Sequence, residues 1–125
     1  GSVATHYAAS DRPWLALEPA LAAAEQAARV AAYEEALAWS RQAEAMAEAH
    51  PAALSPGFRT RLHLQQRTLW YYRGNLERSL GAGRAALAAA CSEGDLAAEL
   101  QALWHLAHDE RKLWLAGSPA CKPGP

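Results

Sequence analysis

The chain has 125 residues, enough for one compact domain and not comfortably for two. Ala and Leu occupy 49 positions, while Val and Thr together number five and Ile is absent, so the residues that favour a pleated sheet are almost missing and strong helix formers dominate. The formal net charge of -1 gives no electrostatic claim on nucleic acid or an anionic membrane.

The composition therefore predicts an all-α chain. No apolar run approaches the roughly 20 residues that span a bilayer, and no signal-like or transit-like start is present. Gly1-Ser2, without Met, reads as a cloning remnant. Residues 1–12 are expected to be that remnant and a flexible N-terminus, 13–117 the folded domain, and 118–125 a disordered tail. Cys91 and Cys121 are too few for a disulfide framework or a four-cysteine metal site. Two free thiols in a cytoplasmic protein fit best, with Cys91 as a small buried filler.

Breakers set the helix limits. Pro19 starts or kinks the first helix, and Val30-Ala31-Ala32 must turn without Gly or Pro if its neighbours are to pack. His50-Pro51 ends the second helix, and Ser55-Pro56-Gly57 reads as an N-cap with Pro at the first helical position. Arg73-Gly74-Asn75 and Gly94-Asp95 each read as a C′ glycine followed by a new N-cap, and Gly117 closes the last helix. Five helices follow, at about 13–30, 33–50, 57–73, 76–92 and 95–116. Apolar spacing predicts their inner faces: Tyr33, Leu37, Ser40, Glu44 and Ala47; Leu76, Leu80, Gly83, Leu87 and Ala90; and Leu96, Leu100, Leu103 and Ala107, extended by Trp114. Gly81 and Gly83, unfavourable inside a helix, imply close helix approach or room for a neighbouring Trp.

A shift of 43 residues lays the second helix on the fourth, taking Ala31 to Gly74, Tyr33 to Leu76, Ala36 to Ser79, Leu37 to Leu80 and Ala43 to Ala86. A second shift takes Gly74 to Gly117. Such a period in an all-helical chain is the mark of a stacked solenoid. Ala27, Ala36, Ala43 and Ala86 are then the spacing residues of the stack, with Leu and the five Trp as its buried bulk.

The stretch from Leu69 to Leu80, with Trp70, Gly74, Leu76, Ser79 and Ala86-Leu87, resembles a tetratricopeptide repeat (TPR) passing from its A helix to its B helix. The period of 43 is similar to the longer, degenerate repeats of bacterial transcriptional regulators and signalling ATPases, over roughly residues 30 to 117. The resemblance implies a right-handed superhelical stack of antiparallel helix pairs, cut from a larger regulator, that binds a partner peptide or protein on its concave face. Carried onto this chain, that face holds Arg61, Gln65, Thr68 and Tyr72 from one A helix and Trp104, His108, Arg111 and Leu115 from the next. The carboxylate clamp of chaperone-binding members is not expected, because Leu64 and Thr68 stand at clamp positions.

Charge is unevenly spread, at -4 over residues 1–55, +5 over 56–84 and -2 over 85–125. The six Arg of the middle block can meet acids of either neighbouring repeat or an acidic partner segment. A fifth helix without a sixth leaves Leu113 and Trp114 as a candidate homodimer patch. Two other readings carry their own residues. One is a small-molecule pocket lined by Trp39, Trp70 and Trp104. The other is a metal-dependent enzyme using His105, His108 and Asp109, at i, i+3 and i+4, with His63. Against the second, Asp109-Glu110-Arg111-Lys112 reads as a solvated turn of helix. No phosphate loop, serine elbow or HExxH is present, so neither a catalytic residue, a metal site nor a cofactor is assigned.

Overall fold

A computed structural model describes residues 13–115, and its elements follow from the helix-forming composition and the punctuation. A 3-10 turn over Pro13–Ala16 leads into α1 (Leu17–Arg29), followed by α2 (Tyr33–Ala49), a second 3-10 turn at Pro51–Ala53, α3 (Phe58–Tyr72), α4 (Leu76–Glu93) and α5 (Leu96–Leu115). The chain is all-helical, with five α-helices and no strand among the described residues. Pro19 sits in the first turn of α1, where no intrahelical donor is lost. The expected remnant, tail and Gly117 lie outside the described residues.

Three of the connections are one turn used three times. Ala31, Gly74 and Gly94 all take the left-handed conformation, with φ of 60°, 80° and 68°. In each, the next amide reaches back five residues: Ala32 to the Ala27 carbonyl at 2.8 Å, Asn75 to Trp70 at 2.9 Å, and Asp95 to Ala90 at 3.0 Å. This is the Schellman closure of a helix C-terminus. Asn75 and Asp95 then cap the following helices through side-chain oxygens that accept from the amides of Arg78 and Ala98, each at 3.1 Å. The start of α3 departs from expectation. Gly57, at φ 81°, occupies the N-cap, its amide donates to Glu93 Oε2 at 2.7 Å, and the Ser55 hydroxyl is turned away to Glu18 Oε1 at 2.7 Å. A carboxylate from the far end of α4 thus meets the positive end of α3.

Sequential helices pack side by side, α1 on α2, α3 on α4 and α4 on α5, while α1 and α5 each also touch α3. Leu17, Ala20, Leu21, Ala43, Ala47, Phe58 and Leu62 form one core cluster; Ala27, Ala36, Leu37 and Leu69 form a second; Leu80, Leu106 and Leu113 form a third. Ala27, Ala36, Ala43 and Ala86 are all buried, as spacers should be. The Trp residues do not supply the bulk: Trp14, Trp104 and Trp114 are exposed, and Trp39 and Trp70 are only partly covered. Phe58, Leu21 and Leu69 fill the interior instead. Gly83 does permit close approach, since a Cβ there would stand 3.0 Å from Leu106 Cδ2, whereas a Cβ on Gly81 would meet nothing.

The largest departure concerns the rotation of α5. Its buried face is Ala102, Leu106, Asp109 and Leu113, and the Leu96, Leu100, Leu103, Ala107 and Trp114 stripe points to solvent. Asp109 is not on a solvated turn of helix but fully buried. Arg67 of α3 grips it in a fork, Nε to Oδ2 at 2.9 Å and Nη2 to Oδ1 at 2.5 Å, and the Ser79 hydroxyl of α4 donates to Oδ2 at 2.6 Å. Three helices meet on one carboxylate. An aligned fork with an added hydroxyl is the geometry that offsets the desolvation of two charges.

Replacing Asp109 with Ala strands the Arg67 guanidinium, and the stability read from urea unfolding should fall by about 3–5 kcal/mol; Arg67→Met combined with Asp109→Leu should recover most of it. A loss no larger than that of an exposed carboxylate would show that the pair does not hold α5. Ala31→Gly should raise stability by about 0.5–1 kcal/mol, because it relieves a left-handed Ala, and a thermal melt that moves down would contradict the turn geometry.

Candidate functional site

Helical register places Arg61, Gln65, Thr68 and Tyr72 along one side of α3, and Trp104, His108, Arg111 and Leu115 along one side of α5. The structure divides the set. Arg61 is committed to α1, with Nη1 donating to Glu18 Oε2 at 2.9 Å and Nη2 to Glu25 Oε1 at 2.8 Å. The bond to Glu25 raises its pKa above the ordinary arginine value. Burial works against ionisation of Glu18, yet Ser55 and Arg61 together hold that carboxyl below its usual range. Gln65 donates to the Ala24 carbonyl at 3.3 Å, and Thr68 to the Leu64 carbonyl one turn back at 3.1 Å. Arg61 and Gln65 thus fasten α3 to α1, and the Thr68 hydroxyl is spent within α3.

Tyr72, Trp104 and His108 do the opposite and gather into a run of rings. Tyr33 of α2 stacks on Tyr72 at 5.4 Å and 11°, and Tyr72 meets Tyr71 edge-on at 5.5 Å. Tyr71 lies 5.5 Å from His108, and His108 stacks on Trp104 at 5.6 Å and 8°. Tyr71 Oη stands 3.0 Å from His108 Nε2, which ties the α3 half of the run to the α5 half. Two rings remain open to solvent, Tyr72 at 60% and Trp104 at 64% exposure. Cations surround the middle ring, with the Arg67 guanidinium 4.6 Å and the Lys112 ammonium 5.3 Å from the Tyr71 centroid. Hydrogen bonding to the Tyr71 phenol raises Lys112 above its ordinary pKa. Arg111 and Leu115 are exposed at the same end of α5.

Sequence register found Tyr72, Trp104 and His108 but not Tyr33, Tyr71 or Lys112. Tyr71 shared a doublet with Tyr72, and Lys112 follows His108 by one turn, so both signals were in the sequence. That they converge needed the α3–α5 approach. Leu113 does not belong to an exposed patch, because it is packed against Leu80 and Leu106 in the third cluster.

The basic block has found intramolecular partners on three sides. Besides Arg61 and Arg67, Arg73 pairs with Glu34 of α2. Arg73 and Arg78 also lie over the Trp70 ring, at 6.0 and 4.6 Å. Trp39 packs on the first cluster, Trp70 on the second, and Trp104 lies in the ring run, so the three do not share a wall. A groove beside Trp70 is lined by Arg41, Glu44, Glu77, Arg78 and Gly81, without the other two tryptophans.

The proposed metal set is also dispersed. Asp109 spends both oxygens on Arg67 and Ser79, His63 Nδ1 faces Gln66 Oε1 at 3.2 Å, and His108 faces Tyr71. Among the described residues no three His, Cys, Asp or Glu side chains are grouped to hold a metal. Cys91 is exposed and donates to Glu99 Oε1 at 3.0 Å, and that bond raises its thiol pKa, so it is neither a buried filler nor an activated nucleophile. Cys121 lies outside the described residues. No family model, curated protein or solved structure matches the chain.

His105 gives this region a pH dependence. Its Nδ1 is buried without a partner, and burial first, then the Arg67 charge, lowers its pKa below the usual 6.5 despite the opposing pull of Asp109. Protonation therefore favours the unfolded chain. Its contribution is complete above the ordinary imidazole value and declines as pH falls below it. Urea midpoints measured between about pH 7 and 5 should drop, and His105→Leu should flatten that slope; an unchanged slope would remove His105 as the cause. Glu18 acts in the same direction in the lower, carboxylate range.

Proposed function

We propose that this chain is a non-catalytic protein-interaction module, the TPR-like repeat domain of a larger bacterial regulator, most simply a cytoplasmic transcriptional one. It binds an extended partner segment across the ring run of α3 and α5. The observation that carries this reading is the placement of Tyr72 and Trp104, two large exposed rings, on either side of the tethered Tyr71–His108 pair. Tyr, Trp and Arg are the side chains that dominate binding energy at protein interfaces, because they supply area or a rigid fork at low entropic cost. Stacking on Tyr33 and His108 fixes both rings before a partner arrives, which lowers the ordering cost of association.

Lys112, beside the middle ring of the run, favours an acidic residue in the bound segment. No described helix is long and apolar enough to cross a membrane, in keeping with a partner met in water. The run makes no call on nucleic acid, since the middle Arg block is largely turned to acids and rings of its own chain.

A displayed random-peptide library provides the test. The wild-type chain should retain clones that combine apolar or aromatic residues with an acidic one. Tyr72→Ala with Trp104→Ala should bind the synthesised peptides at least about 30-fold more weakly at an unchanged melting temperature. Failure to enrich any peptide, or equal binding by the double variant, would overturn the reading.

A further inference from the structure

The outward stripe of α5 is a second surface, independent of the ring run. Leu96, Leu100, Leu103, Ala107 and Trp114 follow steps of 4, 3, 4 and 7, the spacing of a two-stranded coiled-coil seam. Its large members are 66%, 59%, 48% and 45% exposed, and Leu115 beside Trp114 is exposed as well. Among the described residues α5 packs on α4 and touches α3, and nothing covers this side.

We infer that this face of α5 pairs with the same face of a second copy of the chain, the two helices running antiparallel about a two-fold axis. The heptad step selects a helix as the occupant, because apolar residues repeating every 3.5 positions match the knobs of another helix and not a strand or a polyproline segment. The area is sufficient. Five large side chains, Leu96, Leu100, Leu103, Trp114 and Leu115, exposing on the order of 100 Å² each give about 500 Å² of apolar surface, well over half of the roughly 800 Å² per partner of a standard interface and within the range of the largest apolar patch on a typical monomer.

Charge selects the direction. Asp95 caps the start of α5 and Glu99 lies in its first turn, while Lys112 lies in its last turn with Arg111 just before it. An antiparallel pair sets the acidic end of each helix beside the basic end of the other and opposes the two helix dipoles, whereas a parallel pair would place like ends together. In the register that overlaps the whole stripe, Leu96 faces Trp114 of the partner subunit and Leu103 faces Ala107 of the partner subunit. Glu110 interrupts the seam, a single polar position of the kind that fixes register at some expense of stability.

Sedimentation velocity from micromolar to sub-millimolar concentration should show a reversible monomer–dimer equilibrium. Leu100→Glu with Leu103→Glu should weaken it by at least about 100-fold at unchanged far-UV circular dichroism. Direction is read separately in a Cys91→Ser/Cys121→Ser background: Leu103→Cys mixed with Ala107→Cys should cross-link rapidly on oxidation, and Leu103→Cys alone slowly. A chain that stays monomeric throughout, a dimer indifferent to the two Glu substitutions, or faster cross-linking of Leu103→Cys with itself would each overturn the inference. None of these results bears on peptide binding by Tyr72 and Trp104.

Discussion

Arg67 and Asp109 stand on the third and fifth helices with almost no access to water, at 6% and 0% exposure, and each satisfies what the other would otherwise leave unpaired. A pair of this kind adds little net stability compared with well-packed apolar side chains, because both ions must be desolvated. Its consequence here is geometric. A carboxylate that must reach a guanidinium on α3 and a hydroxyl on α4 allows α5 one rotation. Leu106 and Leu113 then turn into the third cluster, Leu106 settles over Gly83, and the Leu96–Trp114 stripe is left outside. The same guanidinium lies under the Tyr71 ring, so the buried pair also supports the exposed ring run.

One turn recurs in the backbone at three of the helix connections. Three turns close with the same left-handed residue and the same five-residue amide contact, although one of them has Ala where the others have Gly. Between the turns, buried Ala sets the distance between helices. Ser79 of α4 stands 43 residues after Ala36 of α2; both are buried, and the Ser79 hydroxyl is the one that binds Asp109. One polar atom at a spacing position thus converts a generic packing site into a specific one.

Much of the candidate site was legible. A side chain's place around its helix follows from its number, so register set Tyr72 on one side of α3 and Trp104 and His108 on one side of α5, and the resemblance to a helical repeat put those two sides on a common face. Arg61 and Gln65 were placed on that face too, but α1 lies close enough to take up their polar atoms. Tyr33 joins because α2 packs against α3 with its start beside the end of α3. Such neighbours depend on distances between helices, which a periodicity does not contain.

The sequence by itself determined the helical class, the five segments to within a few residues, the three recurring turns and the Ala positions where helices approach. These depend on local propensity and on residues a few places apart, and both are written along the chain. Tertiary structure decided which of two apolar faces of α5 is buried, which Arg meets which acid, and which rings touch. An apolar stripe shows that a helix has a side to bury, yet α5 has two. The choice between them was made by one buried carboxylate whose partners lie 30 and 42 residues away.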